Sequence, residues 1–340
     1  MMAGTALKWS EAAAALRRFV EATATPTYCN GMGRGMLPMD HPQFFNRSRK
    51  HALGRADLVV LAGTPLDFRM KFGDSILPDA KIVQLDLDEE LIGANRSVDV
   101  GLVGNLGATL DAMLDRLAVA DTKLDFSDHG SELRAIEDEL DAALAVQLTS
   151  DEVPIDPLRL CREIADAIDD DMIVIGDGGD IVAQASKVIR VPANGGWMDP
   201  GPLGTLGVGM PFALAAQIAN PDKRVLIVYG DGSFGLNGFE YDTAVRFGLP
   251  IVGVIGNDAA WGQMMRPQSM IYGEERMVAT TLAATRYDKV VEALGGHGEH
   301  VTEPDQIRPA IDRAFASGLP AVVNVEIRQD VGQMKGSTYV

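Results

Sequence analysis

The chain has 340 residues, 46% of them hydrophobic, and this length suits two domains that each bury a core. Its formal net charge of −18 argues against nucleic acid or an anionic membrane surface as a partner. No apolar run reaches the roughly 18 residues that cross a membrane, and the first residues lack the pattern of a signal peptide.

The first 120 residues alternate predicted helices and strands. Ser10–Thr23 has alanine and leucine at helical spacing behind a serine that suits a helix N-cap. The apolar runs Ala56–Gly63 and Lys81–Asp88 are typical of strands buried on both faces of a parallel sheet, and Gly104–Ala118 is a predicted helix. We therefore expect residues 1–120 to form one doubly wound α/β domain, whose first strand is cut short at the start of the chain.

The composition changes after this region. Residues 121–155 are strongly charged and contain no strand pattern, so we expect a linker with one solvated helix. Residues 156–330 again alternate helices with apolar strands, which predicts a second doubly wound parallel sheet. Residues 331–340 remain as a C-terminal tail.

One loop of the second domain carries the sequence GDGS, Gly230–Ser233, directly after the apolar strand Arg224–Tyr229. In open parallel sheets, ligands bind beyond the carboxyl ends of the strands, and backbone N–H groups at a helix N-terminus favour phosphate. A GDG turn is also a common connection between strand and helix. The loop alone therefore leaves both interpretations open.

A second GDG, Gly176–Gly178, serves as an internal control. The residue 27 positions after Asp177 is Gly204, which has no ligating side chain, whereas the residue 27 positions after Asp231 is Asp258. Asp258 directly follows the next predicted strand, so we expect both carboxylates at one edge of the sheet. Oxygen donors beside a phosphate-binding turn are the environment that Mg²⁺ prefers, which predicts a magnesium–diphosphate site.

Four motifs together carry a family resemblance. They are GMGRGMLPMDHP at 31–42, RADLVVLAGTPLDF at 55–68, WMDPGPLGTLGVGMPFALAA at 197–216, and GDGS with the polar end of the following strand. Across nearly the whole chain the sequence resembles the thiamine diphosphate (ThDP) enzymes. It is most similar to acetolactate synthase large subunits, with 2-hydroxyacyl-CoA lyases and oxalyl-CoA decarboxylases as near relatives.

The resemblance implies a site residue by residue. Asp231 and Asp258 would bind Mg²⁺ with their side chains and Ala260 with its carbonyl. Gly232 and Ser233 would bind the diphosphate. The other residues implied in cofactor binding are Gly179, Asp180, Gly204, Thr205, Leu206 and Gly230. Among these, Leu206 would take the place of the apolar residue that bends the cofactor, Gly204 and Thr205 would line its pyrimidine, and Gly179 and Asp180 would lie near the diphosphate.

Two positions depart from the family pattern. The family usually has asparagine where Asp258 stands, so a second carboxylate here repels the diphosphate unless a cation compensates it. Acetolactate synthases carry a tryptophan nine positions further on, where this chain has Pro267. Contacts to FAD are not recognisable, and whether the central domain binds FAD, ADP or no nucleotide stays open. Arg34 either contacts a nucleotide or CoA phosphate or pairs with an acid.

The resemblance also implies a part outside this chain. In the family, a glutamate on a preceding pyrimidine-binding domain contacts the cofactor, so we expect no catalytic side chain here and little activity of the chain alone. Three explanations stay open: a fragment of a longer enzyme, a split enzyme whose partner chain supplies that domain, or a non-catalytic ThDP-binding subunit. The expected activity of the whole is a carboligase or decarboxylase acting on small 2-ketoacids, or alternatively a 2-hydroxyacyl-CoA lyase or oxalyl-CoA decarboxylase.

The remaining aromatic, sulfur-containing and titratable residues have less specific patterns. Trp261 and the methionines of Gln263–Met270 either line a substrate channel or pack in the core. Cys29 and Cys161 lack CxxC spacing and are expected to be reduced core thiols of a cytoplasmic protein. The family further implies a homo-oligomer. Glu240 is expected to be solvated, and His297 and His300 to lie in a surface turn.

Overall fold

A computed structural model describes residues 1–120, 123–191 and 196–329 of the chain. Within these residues the fold divides into two compact units, unit 1 consisting mainly of Met1–Leu144 and unit 2 of residues 145–191 and 197–329. Each unit contains one six-stranded parallel sheet flanked by helices, so the predicted class of two doubly wound α/β domains is confirmed. The predicted tail 331–340 lies outside the described residues.

Unit 1 is built around the strand order β3-β2-β1-β4-β5-β6. Its strands are β1 Met2–Ala3, β2 Thr27–Cys29, β3 Phe44–Phe45, β4 Leu58–Ala62, β5 Lys81–Asp86 and β6 Val100–Val103. Its helices are α1 Thr5–Trp9, α2 Ala13–Thr23, α3 Arg49–Leu53, α4 Leu106–Val119 and α5 Ser127–Ala142. Two buried apolar clusters, one including Leu16 and Leu110 and the other including Leu61 and Leu133, form its core.

The predicted helix over Ser10–Thr23 is wrong at its start. Ser10 is the C-cap of α1, and α2 begins only at Ala13. The break lies at Glu11, whose φ of 50° is left-handed and therefore cannot continue a right-handed helix. The Ser10 hydroxyl accepts a hydrogen bond from the Leu106 backbone N–H at the start of α4 instead.

Helix α5 also differs from the solvated helix that its charge predicts. Leu133 and Glu137 are buried in unit 1. The Glu137 carboxylate accepts hydrogen bonds from the backbone N–H groups of Asn46, Arg47 and Ser48 at 2.8–2.9 Å and from the Ser48 hydroxyl at 2.7 Å. The acidic composition of this segment did not predict the contact, because charged residues are usually solvated. Glu137 instead points inward and accepts hydrogen bonds from the loop before α3.

Unit 2 has the strand order β11-β12-β10-β9-β7-β8. Its strands are β7 Ile173–Asp177, β8 Trp197–Met198, β9 Val225–Gly230, β10 Val252–Asn257, β11 His297–Val301 and β12 Ala321–Glu326. Its helices are α6 Ala145–Leu148, α7 Pro157–Ala167, α8 Asp180–Ala185, α9 Gly209–Ala219, α10 Asp231–Asn237, α11 Tyr241–Phe247, α12 Gly262–Tyr272, α13 Tyr287–Ala293 and α14 Ile307–Ala316. The expected surface turn at His297 and His300 is wrong, since both lie in β11, paired with β12.

The centre of the unit 2 sheet positions the candidate site. β9 pairs in parallel with β7 on one side and β10 on the other, and its residues Val225–Tyr229 are buried. The carboxyl ends of these three strands therefore meet at one edge. None of the helices in the described ranges is long and apolar enough to cross a membrane.

Candidate functional site: the edge of strands β9 and β10 in the second sheet

Asp231 begins helix α10 immediately after β9. Gly230, the last residue of β9, is extended, with φ −83° and ψ 152°, and forms the N-cap, so the helix follows the strand without an intervening residue. The Asp231 side chain is 2% exposed. Its Oδ1 accepts a hydrogen bond from the Gly232 backbone N–H at 2.7 Å, and its Oδ2 accepts one from the Ala260 backbone N–H at 3.2 Å.

Asp258 follows the end of the neighbouring strand β10. Gly256 of β10 pairs with Gly230 of β9, so the two aspartates lie just beyond paired positions. Asn257 fixes the chain here, because its Nδ2 donates to Asn324 Oδ1 and to the Thr285 carbonyl at 3.0 Å each. This places the carboxylates of Asp231 and Asp258 on a common cavity.

The Ala260 region is held by a short antiparallel pairing. Trp261 donates its backbone N–H to the Thr280 carbonyl at 2.8 Å, and Leu282 donates to the Ala259 carbonyl at 2.7 Å. Ala259 has a φ of 53°, which turns the chain sharply after β10. The Ala260 carbonyl is not used in this pairing, and Ala260 itself lines the cavity.

The cavity at this edge measures about 80 Å³, enough for several water-sized groups. Its lining includes most of the predicted site residues, namely Gly179, Asp180, Leu206, Gly230, Asp231, Gly232, Ser233, Asp258 and Ala260. Two others, Gly204 and Thr205, are exposed on their loop and are not part of this lining. The structure thus brings together the predicted metal and diphosphate residues and leaves the two predicted pyrimidine contacts apart from them.

The two aspartates of the predicted metal site both have raised pKa values. Burial raises the pKa of Asp231 to about 6, with partial compensation by the backbone N–H groups it accepts from. Burial also raises the pKa of Asp258 to about 7, and the negative charges of Asp231 and Asp180 raise it further in the same direction. The site therefore concentrates negative charge that a bound cation would compensate.

Aromatic and amide side chains close the cavity. The Trp261 ring lies over Gly232, where a Cβ would be 2.5 Å from the nearest ring carbon, so only glycine fits. Gln263 packs against Gly179 in the same way. Trp261, Gln263 and Met264 line the cavity, whereas Met265 is buried and Met270 is exposed. Core packing therefore applies to Met265, and the substrate channel stays a prediction.

Sequence reasoning missed the role of Asp177, which served only as a control. Asp177 is fully buried at the end of β7, and its carboxylate accepts the backbone N–H groups of Gly207 at 3.0 Å and Gly209 at 2.7 Å. The Asn237 side chain donates to the Gly207 carbonyl. The loop that carries Leu206 is thereby fixed beside the cavity. The position of Asp177 as the last residue of a buried strand was the available signal.

The lining also contains an ion pair that the sequence did not predict. Arg266 of α12 donates Nη1 to Asp180 Oδ1 at 3.1 Å and Nη2 to Asp180 Oδ2 at 2.7 Å. A Cβ at Gly262 would lie 2.5 Å from Asp180 Oδ2 and 3.3 Å from Asp258 Oδ2, so both carboxylates reach the same glycine. Asp180 is therefore a third acid of this site.

The donor set fits a magnesium ion with a diphosphate. Two carboxylate side chains and one backbone carbonyl are hard oxygen ligands, and phosphate oxygens commonly complete the octahedron of Mg²⁺. The raised pKa values of Asp231 and Asp258 are what buried carboxylates show before a cation compensates them. The glycines at 230 and 232 keep the backbone accessible beside the carboxylates.

Two doubly wound parallel sheets, with an acidic cavity at the carboxyl ends of β9 and β10, are typical of cofactor-binding α/β proteins. Comparison with known families agrees with this class. The chain belongs to the thiamine pyrophosphate enzymes. Residues 1–113 match the profile of their central domain, and residues 177–325 match that of their C-terminal TPP-binding domain.

Curated relatives share this architecture. The chain is 42% identical over 336 residues to an acetolactate synthase large subunit of Mycobacterium tuberculosis, covering 96% of this chain and 58% of that protein. It is 37% identical over 324 residues to 2-hydroxyacyl-CoA lyase 2 of Caenorhabditis elegans and 33% over 322 residues to the human 2-hydroxyacyl-CoA lyase 2, in each case covering 92% of this chain and 50% of the relative. The chain thus spans between half and three-fifths of these relatives.

Proposed function

We propose that unit 2 binds ThDP through a Mg²⁺ ion held by Asp231, Asp258 and the carbonyl of Ala260. The observation that carries this proposal is the convergence of two buried carboxylates on one cavity at the ends of paired strands β9 and β10. The match to a TPP-binding domain supports the identity of the cofactor. Magnesium itself rests on the oxygen donor set.

The residues around the metal have distinct roles in this proposal. Gly232 and Ser233 contact the diphosphate, while Leu206 offers an apolar contact on a loop that Asp177 fixes. Trp261 covers Gly232 and shields the metal edge from water. When bound, ThDP supplies the chemistry that breaks and forms carbon–carbon bonds beside a carbonyl.

Calorimetry of the purified chain tests the binding. ThDP titrated with Mg²⁺ present should bind with a stoichiometry of one per chain, and chelation of the metal with EDTA should abolish the heat. Asp231→Asn should weaken the metal-dependent binding, because the amide has one oxygen and no charge. Binding that is equally tight with and without metal would contradict the proposal.

For the reaction, we propose carboligation or decarboxylation of 2-ketoacids, supported by the acetolactate synthase relative. A 2-hydroxyacyl-CoA lyase is the second candidate, supported by relatives of that name at lower identity and by Pro267 at the position of the family's tryptophan. A protein that joins this chain to a pyrimidine-binding domain should produce acetolactate from pyruvate. Cleavage of a 2-hydroxyacyl-CoA without acetolactate formation would establish the second candidate instead.

The chain alone should bind ThDP without turnover, because its catalytic glutamate is expected on a pyrimidine-binding domain. Adding such a domain on a separate polypeptide should restore activity. Acetolactate formation by the chain alone would contradict this, and binding without turnover in every combination would identify a non-catalytic ThDP-binding subunit.

We also propose that unit 1 binds the adenosine diphosphate moiety that ADP and FAD share. Its strand order changes direction between β1 and β4, where doubly wound sheets bind nucleotides at the carboxyl ends. Asn30, which follows β2, is 2% exposed, and within the described ranges neither its side-chain oxygen nor its nitrogen has a hydrogen-bond partner. Burial lowers the pKa of Arg49 to about 10, and the charges of Arg34 and Arg69 lower it further, so these three guanidinium groups lie close enough to interact.

A thermal-shift experiment tests nucleotide binding. ADP and FAD should raise the midpoint temperature of unfolding of the wild-type chain, and Asn30→Ala should reduce that shift. No stabilisation by either nucleotide would contradict the proposal. Stabilisation by FAD alone would indicate that the flavin is needed as well.

Location and assembly are further proposals. Both cysteines are buried and unpaired in the structure, as predicted, which supports a cytoplasmic protein. Large apolar side chains are exposed in unit 2, among them Leu203, Phe239 and Ile271, which supports a homo-oligomer or a partner chain. Light scattering of the purified chain should therefore show a species larger than the 36.4 kDa monomer.

A further inference from the structure

The cavity at the unit 2 sheet edge contains more acid than the proposed metal requires. Asp180, Asp231 and Asp258 all line it. The negative charges of both Asp231 and Asp180 act on Asp258, which shows that the three carboxylates interact. A diphosphate entering this cavity therefore meets one carboxylate beyond the two assigned to the metal.

Two arginines are among the residues that line the cavity, and they differ in their partners. Arg328 binds Asp156 at 2.7 Å and Glu152 at 3.2 Å, and these acids are not part of the lining. Arg266 instead binds Asp180 through two parallel hydrogen bonds, the geometry in which a guanidinium and a carboxylate pair most strongly. Arg266 thus neutralises an acid of the cavity itself.

This ion pair is largely shielded from water. The side chain of Arg266 is 11% exposed and that of Asp180 is 24% exposed. Loss of one partner of a buried pair leaves an uncompensated charge in a medium where electrostatic forces act strongly. Without its partner, the Asp180 carboxylate would carry an uncompensated charge beside Gly262, the residue that the Asp258 carboxylate also approaches.

We infer that Arg266 is a positioning residue of the diphosphate site, which acts by neutralising Asp180 so that an anion can enter beside Asp231 and Asp258. This inference rests on the proposed function of the cavity. It assigns to α12 an electrostatic role that is separate from metal binding. The ligand class is an inorganic or organic diphosphate complexed with a divalent cation.

A double-mutant cycle with magnesium pyrophosphate as the probe tests this role by calorimetry. Arg266→Gln should weaken binding by about tenfold or more, since it exposes the charge of Asp180. Arg266→Lys should stay within about threefold of wild type, because it keeps the charge. Asp180→Asn combined with Arg266→Gln should also return to within about threefold, because it removes the charge that Arg266 neutralises.

The controls separate this role from a purely structural one. Arg276→Gln, an exposed arginine of the same unit outside the cavity lining, should leave binding unchanged. Circular dichroism and thermal midpoints show whether each variant folds. If Arg266→Gln does not fold, Asp180→Asn carries the test: with Arg266 uncompensated it should bind the probe more tightly than wild type.

Three results contradict the inference: unchanged binding in Arg266→Gln, a double variant as weak as Arg266→Gln, or weaker binding in Asp180→Asn. These outcomes leave the proposed function intact as long as the wild type binds the probe. A wild-type chain that binds neither magnesium pyrophosphate nor ThDP with Mg²⁺ contradicts the proposed function and this inference with it.

Discussion

Asp258 is the residue at which this chain departs most clearly from the pattern that its family resemblance implies. A carboxylate replaces the expected amide, and the structure places it in a cavity with Asp180 and Asp231. Burial and the charges of these neighbours raise the pKa of Asp258 to about 7. If Asp258 binds the proposed metal, proton binding at its carboxylate competes with metal binding.

Asp258→Asn should change metal binding in a specific way. The variant keeps an oxygen ligand and loses one negative charge, so the Mg²⁺ concentration for half-saturation should rise about tenfold. Binding of pyrophosphate without metal should become tighter, because repulsion falls. Calorimetry measures both, with Asp242→Asn on exposed α11 as the matched control. If Mg²⁺ binding is unchanged, Asp258 is not a ligand.

The raised pKa values of Asp231 and Asp258 also predict a pH dependence of stability. A carboxyl group whose pKa is higher in the folded state stabilises the fold most below its unfolded pKa, and that stability is lost as the pH rises through the folded pKa. The metal-free chain should thus lose roughly 6 kcal/mol of unfolding free energy between about pH 4 and 7 through these two groups, whose folded pKa values are about 6 and 7.

Denaturant unfolding of unit 2 at several pH values measures this slope. Asp258→Asn should have a shallower slope than wild type, and Mg²⁺ with pyrophosphate should flatten the slope of the wild type by stabilising the charged carboxylates. Equal slopes for wild type and variant in the absence of metal would show that burial does not perturb Asp258 as described.

At the level of elements, the buried strands were the predictable part. The apolar runs over β4, β9, β10 and β12 locate each strand, and the equal spacing of Asp231 and Asp258 from strand ends predicts their common edge. Connections were less predictable, because they depend on single backbone angles and tertiary contacts. The left-handed backbone of Glu11 separates α1 from α2. Strand β11 lacks an apolar pattern, and its His297 and His300 side chains pair with glutamates instead of packing in the core.

The site was predictable to a similar extent. The 27-residue spacing correctly predicted that Asp231 and Asp258 lie at one edge, because the parallel strands β9 and β10 end side by side. The Asp180–Arg266 pair joins residues 86 positions apart, and no local pattern marks it. The support that Asp177 gives the loop at Gly207 and Gly209 is equally non-local.

Helix α5 provides a stability test at the level of one element. Glu137→Ala should lower the unfolding free energy of unit 1 by about 2–4 kcal/mol, because it leaves the backbone N–H groups of Asn46, Arg47 and Ser48 without their acceptor. Glu139→Ala, an exposed position of the same helix, is the control and should have little effect. A similar loss in both variants would indicate that helix propensity, rather than this contact, determines the change.

For the molecule as a whole, the two units divide the proposed work. In our proposals, unit 2 holds the metal and the diphosphate at the edge of β9 and β10, and unit 1 binds a nucleotide beside Asn30. The net charge of −18 gives no overall attraction for phosphates, so each site needs local groups that favour an anion. In unit 2 the proposed groups are the divalent cation and Arg266. In unit 1 they are the guanidinium groups of Arg34, Arg49 and Arg69.

This division predicts that the two ligands stabilise different parts of the chain. Hydrogen exchange should show protection by ThDP with Mg²⁺ around residues 230–262 and protection by ADP around residues 30–34, because each ligand contacts only its own unit. Asp231→Asn should abolish the first protection and leave the second. Loss of both protections in this variant would contradict the assignment of separate sites.

Anomalous diffraction from crystals grown with Mn²⁺ and ThDP tests most directly whether Asp231, Asp258 and the Ala260 carbonyl hold one divalent cation. Mn²⁺ replaces Mg²⁺ at oxygen sites and has an anomalous signal that locates it without ambiguity. We predict one strong peak in unit 2, about 2.0–2.2 Å from carboxylate oxygens of both Asp231 and Asp258 and from the Ala260 carbonyl. A peak bound to the diphosphate but to neither aspartate, or a cofactor bound away from this edge, would contradict the account.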